Sequence, residues 1–123
     1  DVTHATDTPG IDQAQHGTVT LGGGPSLCHG TANHPLLVKR LIEVAEKEKI
    51  PVQHEASSRF TGTDTDKIFH SRDGIPSALV SLPLRSMHSA VETADLADIE
   101  HTIGLLAAFL LSLRSSDQFH QQL

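Results

Sequence analysis

The 123-residue sequence has no tryptophan, no tyrosine and only four phenylalanines. So few aromatic faces weigh against the stacking platforms that hold single-stranded nucleic acids and many carbohydrates. Positive charge is scarce too: nine Lys and Arg stand against fifteen Asp and Glu, a net charge of −6 with His neutral. Such a chain lacks the basic footprint that a phosphate backbone needs, so nucleic acid is not expected as a partner. The single cysteine, Cys28, precludes an internal disulfide framework and suits a reducing, cytoplasmic compartment. No apolar run reaches the roughly 18 residues of a membrane span. The longest, Ile103 to Leu113, is broken by Gly104 and Ser112, so no membrane partner is expected. The chain begins on Asp1, without a charged-then-apolar leader, and is expected to be a piece of a longer polypeptide.

What is present suits one globular domain. Apolar residues make up 37% of the chain, and at this length about two thirds of the unfolded surface can be buried. Residues 1–16 are polar, with a turn at Pro9-Gly10. Gly17 to Leu21, rich in β-branched residues, reads as a short strand stopped by Gly22-Gly23-Gly24-Pro25. His34 to Lys49 is an amphipathic helix, with Asn33 or His34 as cap and Pro35 in the first turn. Its stripe of Leu37, Leu41 and Val44 is widened by Val38, Ile42 and Ala45. Pro51 to Ala56 is a second strand, and Thr63-Asp64-Thr65 caps a short helix reaching about His70.

Ile75 to Leu82 is mostly apolar rather than alternating, as in a strand covered on both faces, and Pro83 ends it. The last helix runs from Asp95 to Leu113. Asp95 and Asp98 resemble a capping box, and Leu96, Ile99, Ile103, Leu106 and Leu110 form one face. Its second half is apolar nearly all round, so further structure is expected to cover it. Residues 114–123 read as a polar, frayed tail. The alternation of strands and helices implies an α/β fold with a largely parallel sheet.

Nine histidines are many for this length, but none falls in H-E-x-x-H or in a Cys/His cluster with zinc-finger spacing. Most read as surface side chains. His88 stands apart because it lies in the loop beyond a buried-type strand, where open α/β sheets bind ligands. A metal-binding imidazole needs a partner for its second nitrogen, and Glu92, four residues on, could supply it. Gly22-Gly23-Gly24 lacks the G-K-[ST] of a phosphate loop and reads as a tight turn or a close-packed substrate wall. Cys28 fits no nucleophile signature, and Asp64-Thr65-Asp66 is most simply a helix cap.

Several segments together resemble one family. DVTHATDTPG (1–10), LGGGPSLCHG (21–30), TGTDTDKIFHSRDGIPSALVSLPLRSMHSAVE (61–92) and DLADIEHTIGLLAAFL (95–110) are similar to the carboxyl-terminal part of the catalytic domain of TET-type and glutamyl metalloaminopeptidases. Some relatives are labelled deblocking aminopeptidase or endoglucanase. The resemblance covers nearly the whole chain in order, and L-P-L-R-x-M-H-S-x-x-E is its most specific motif. It implies part of a three-layer α/β/α zinc-peptidase domain, spanning residues 1–113, with 114–123 as a tail. It also implies two divalent ions, zinc or cobalt, held by five side chains, with a separate Glu as general base.

Carried over by residue, Asp1 and His88 would be metal ligands, each serving a different ion. Glu92 would support His88, and Gly23, Gly24, Gly62, Thr63 and Asp64 would border the substrate groove. The family's other ligands and its Glu-Glu pair have no counterpart here; the sequence contains no Glu-Glu dipeptide. No catalytic base is therefore assigned within this chain, which is expected to be inactive alone. The full-length protein is expected to act on peptides and to form a homo-oligomer. A related metal-dependent deacylase or carboxypeptidase, a glycoside hydrolase and a non-catalytic α/β interaction module remain alternative readings.

Overall fold

The computed structural model describes residues 1–30 and 32–119. Its strands are β1 (Val2–His4), β2 (Ser26–Gly30), β3 (Gln53–Ser57) and β4 (Val80–Leu84). Its helices are α1 (Gln13–His16), α2 (Pro35–Glu48), α3 (Asp64–Phe69) and α4 (Leu96–Ser112). The strands form one sheet in the order β1-β4-β2-β3. β1 pairs with β4, and β2 with β3, in parallel; β2 and β4 are antiparallel. The fold is α/β with a mixed, mostly parallel sheet, as expected.

Helix α2 forms where its caps and periodicity place it. His34 caps it by accepting a hydrogen bond from the Leu36 amide (3.3 Å), and Pro35 fills the first position, where no amide hydrogen is needed. It ends at Lys49, whose left-handed backbone (φ 56°) returns its amide to the Ala45 and Glu46 carbonyls. Its buried residues are Val38, Leu41, Val44 and Ala45, of which the last three pack with Leu27 of β2 and Leu105 of α4 to make the core.

Four expectations are corrected. Gly17–Leu21 is not a strand. Val19 is buried, but its amide donates to Thr6 Oγ1 (2.9 Å) and its carbonyl accepts from the Thr6 amide (2.6 Å), so a side chain replaces a ladder neighbour. The strand in this part of the chain is Val2–His4, registered against Leu82–Leu84. Second, β4 begins at Val80, not Ile75, and runs through Pro83. Pro83 is tolerated because β2 stops pairing with β4 at Ser81, leaving no donor required at position 83.

Third, α4 is turned away from its expected face. Asp98 and Leu105 are buried and Ala108 and Phe109 pack on the core, while Leu96, Ile103 and Leu110 are 77%, 63% and 64% exposed. A helix apolar nearly all round has no periodicity to choose a face. Its rotation follows the buried Asp98 carboxylate, which accepts from the Gly22 and Gly24 amides at 2.8 and 2.7 Å. Asp98 therefore serves this loop instead of a capping box; Asp95 alone caps α4, through the Ala97 amide (2.8 Å). Fourth, the start of the tail is tied down. Asp117 pairs with Arg40 through both carboxylate oxygens (3.2 and 3.3 Å), and Arg40 also donates to the Ser112 carbonyl (3.2 Å). The last four residues of the expected tail, 120–123, lie outside the described residues.

Candidate metal and substrate cavity

Side chains alternate along a strand, and paired residues share a face of the sheet. Leu27 and Val80, opposite one another, face the core built by α2 and α4. The alternate residues Thr3, Ser26, Cys28, Glu55 and Ser81 therefore face the other way. On that second face lies a cavity of about 510 Å3, walled by Asp1, Thr3, Cys28, Glu55, Ser81 and His88 and flanked by the 60–63 loop. Asp1 and His88, 87 positions apart in sequence, both line it because β1 lies beside β4.

Asp1 is held at the entry to β1. Its carbonyl accepts from the Leu82 amide (2.9 Å), and its Oδ1 accepts from the Val2 amide (2.7 Å). His88 sits in a loop closed at its base by reciprocal backbone bonds between Arg85 and Thr93 (2.9 and 3.1 Å). Arg85 ties this loop to the β1 side by an ion pair with Asp7, whose carboxyl is held below its ordinary pKa first by that hydrogen bond. His88 itself has left-handed backbone (φ 63°), a conformation costing a non-glycine residue about 1 kcal/mol. Glu92 Oε1 accepts from the His88 amide (2.6 Å), so the carboxylate holds the loop backbone, not the imidazole as the spacing suggested. Strain of this kind, secured by a dedicated partner, is characteristic of side chains aimed for function.

The third wall is the loop before α3. Thr63 caps the helix through the Thr65 amide (3.2 Å). Asp66 clamps the loop from inside the helix, accepting from the Thr61 amide and hydroxyl (3.0 and 2.9 Å) and the Gly62 amide (3.0 Å). These bonds, the Thr61 amide first, hold the Asp66 carboxyl below its usual pKa. The clamp brings Gly62 and Thr63 to the cavity, with exposed Phe60 at its rim under the Arg59 guanidinium. Asp64 does not line the cavity; it is exposed and pairs with Lys67 at 3.8 Å.

Gly23 and Gly24 do not line it either. They precede β2, where a Cβ on Gly24 (φ +87°) would stand 2.0 Å from the Pro51 carbonyl oxygen and one on Gly23 2.5 Å from the Gln53 side chain. Close approach to the Pro51 backbone accounts for Gly24, and close approach to the Gln53 side chain, itself bonded to the Thr20 and Gly24 carbonyls, for Gly23.

Among the cavity residues that the sequence did not reveal are Thr3, Glu55 and Ser81. Glu55 Oε2 accepts from Thr3 Oγ1 (2.8 Å) across the cavity floor. Burial, and then the Glu55 charge, push the Cys28 thiol up to about 11, so it stays protonated at neutral pH. Only the strand register reveals that these side chains converge. Among the described residues, no group of three or more His, Cys, Asp or Glu is gathered closely enough to hold a metal ion. Asp1 and His88 supply one carboxylate and one imidazole to the lining of a common cavity, and by themselves do not make up a metal site.

Residues 1–105 match the M42 glutamyl aminopeptidase family. Lysyl aminopeptidase of Pyrococcus furiosus is 43% identical over 97 residues, covering 79% of this chain and 28% of that protein. The structure of a TET aminopeptidase from a marine sediment Thaumarchaeota archaeon matches with a TM-score of 0.82 and 32% identity, over 94% of this chain and 32% of that one. That of Pyrococcus horikoshii TET1 peptidase, which can assemble into a tetrahedron or a large octahedral shell, matches with a TM-score of 0.63 and 27% identity, over 80% and 29%. The chain spans about a third of the length of these relatives. With 105 of its 123 residues matched in order and its sheet shared with these enzymes, the chain belongs to the M42 glutamyl aminopeptidase family.

Proposed function

We propose that residues 1–113 are the carboxyl-terminal portion of the catalytic domain of a two-metal aminopeptidase that removes amino-terminal residues from peptides. The common cavity of Asp1 and His88 carries this reading. In it these two side chains are metal ligands, and their donor types suit zinc or cobalt. Bound divalent ions would supply an acidified water and a Lewis acid for the scissile carbonyl. Glu92 is a positioning residue that sets His88 through its backbone amide. Gly62 and Thr63, held by Asp66, border the peptide. Gly23, Gly24 and Asp64 stand off the cavity and have no part in the proposal.

With two donors of a larger set and no Glu-Glu pair, this chain alone has neither a complete metal cage nor an assigned proton acceptor for water. It is therefore inactive by itself. Homo-oligomerisation of the whole protein is supported by the shells of the horikoshii peptidase, and a cytoplasmic location by the free, buried cysteine. Among the described residues no helix is long and apolar enough to cross a membrane.

Two measurements test this. In the whole protein, His88→Ala abolishes metal-dependent hydrolysis of an aminoacyl p-nitroanilide; undiminished turnover refutes the assignment. The 123-residue chain shows no such hydrolysis and binds zinc weakly, with that binding reduced by His88→Ala. Nanomolar zinc affinity, or turnover by the isolated chain, refutes the incomplete cage.

A further inference from the structure

On the sheet face opposite the cavity, two histidines form a cluster that the aminopeptidase reading does not use. His29 and His54 are both exposed, and His29 Nε2 lies 2.9 Å from His54 Nδ1, with ring centroids 5.1 Å apart. They stand on neighbouring strands: His54 is opposite Leu27 and His29 opposite Ala56, so the two are diagonal neighbours on one face. That face is the one carrying Leu27, away from Thr3, Cys28 and Glu55.

We propose that His29 and His54 form a two-point chelate for a borderline transition-metal ion of the Ni2+ or Cu2+ type, separate from the aminopeptidase cavity. Three observations support it. The two backbones are locked by five consecutive registered pairs between β2 and β3, so only the side-chain torsions of the two histidines remain to be ordered by an ion. The nitrogen separation also suits the ion. Two nitrogens each about 2.05 Å from a metal are about 2.9 Å apart at a right angle, but about 3.3 Å apart at a tetrahedral one. As observed, the 2.9 Å contact is an N–H···N hydrogen bond; it already holds the two nitrogens within reach of adjacent corners of one ion, and turning the exposed rings would aim both lone pairs at it. Finally, His29 borders a groove of about 460 Å3 shared with Glu43 and Glu46, and the one lysine there, Lys39, is paired with Glu43 at 3.8 Å.

Binding needs no net change in protonation. In the free pair one ring donates and the other accepts. With the ion bound, the donor ring moves its hydrogen to its far nitrogen, and both rings remain neutral ligands. The ion would clip the edge strand β3 to β2.

Titration of the 123-residue chain with NiCl2 at pH 7.5, by isothermal calorimetry, tests the proposal. The expected result is one site of micromolar affinity. His29→Ala and His54→Ala each weaken it at least tenfold, and the double variant weakens it no further, because one remaining imidazole cannot chelate. His88→Ala leaves nickel affinity unchanged, so this proposal and the cavity assignment fail separately. Nickel also raises the melting temperature of the unaltered chain but not of either single variant. Both histidines are exposed, and circular dichroism checks that the variants fold. Binding unaffected by His54→Ala, binding lost in His88→Ala, additive effects of the two substitutions, or no saturable site below 100 µM nickel would each overturn it.

Discussion

Replacing Asp98 with alanine is the most informative single perturbation of this fold. Its carboxylate is fully buried and accepts two short bonds, from the Gly22 amide at 2.8 Å and the Gly24 amide at 2.7 Å. A hydrogen bond to a charged group contributes about 1.5–3 kcal/mol, and a buried amide left without a partner costs about 1–3 kcal/mol. Gly24 is buried and Gly22 is not, so only one orphan is created. The terms overlap, and a loss of about 3–5 kcal/mol is expected, a large share of the 5–15 kcal/mol typical of a domain. At about 2.1 cal/mol/K per residue, that lowers the melting temperature by roughly 12–20 °C. Asp95→Ala, which removes only an ordinary cap, is expected to cost about 1 kcal/mol.

Thermal and urea melts of the two variants, followed by circular dichroism, measure the difference. Because Asp98→Ala threatens folding, Asp98→Asn is the companion. An amide group can accept from one glycine but presents its own hydrogens to the other, so hydrogen exchange should accelerate at one of the two glycine amides. Equal losses for Asp98→Ala and Asp95→Ala, or unchanged glycine exchange in Asp98→Asn, would restore the local capping box and refute the long-range anchor.

Two further predictions concern the glycine loop and the buried thiol. Gly24→Ala is expected to destabilise by at least 2 kcal/mol more than Gly10→Ala: both have left-handed backbone, but an added Cβ meets the Pro51 carbonyl at the first and open space at the second. Similar urea midpoints would show that conformation alone, not contact, selects glycine there. Cys28 in the folded chain is expected to react with iodoacetamide near pH 7.5 about 100-fold more slowly than a thiol at its ordinary pKa, because a pKa of about 11 leaves correspondingly less thiolate. With the folded value raised, the unfolded chain ionises first as pH rises above about 9, so stability falls between there and 11. Cys28→Ala should lessen that fall, and an identical alkaline profile would place the thiol in water.

The sequence made local structure legible and left long-range partners hidden. Helix α2 followed from its own residues, because His34, Pro35 and the stripe through Leu41 and Val44 act within a few positions of one another. The Asp95 and Thr63 caps were equally local. Rotation of α4 was not, because it depends on glycines more than seventy positions away. A strand as short as Val2–His4 has no periodicity to read and exists because β4 supplies its ladder. The candidate site divides the same way. His88 was legible from its loop beyond a buried-type strand and Asp1 only from a family resemblance; the β1–β4 pairing brings both to one cavity, whereas Glu55 and Ser81 join them only once the register is known.

Asp98 shows why the difference matters. An acidic residue three positions after an N-cap satisfies a local pattern, yet the glycine amides offer its carboxylate a buried site with two donors. A local cap exposed to water offers about 1 kcal/mol and the buried pair several times that. The stronger partner sets the rotation of α4, and the leucines and isoleucine on its opposite side are turned outward as a consequence.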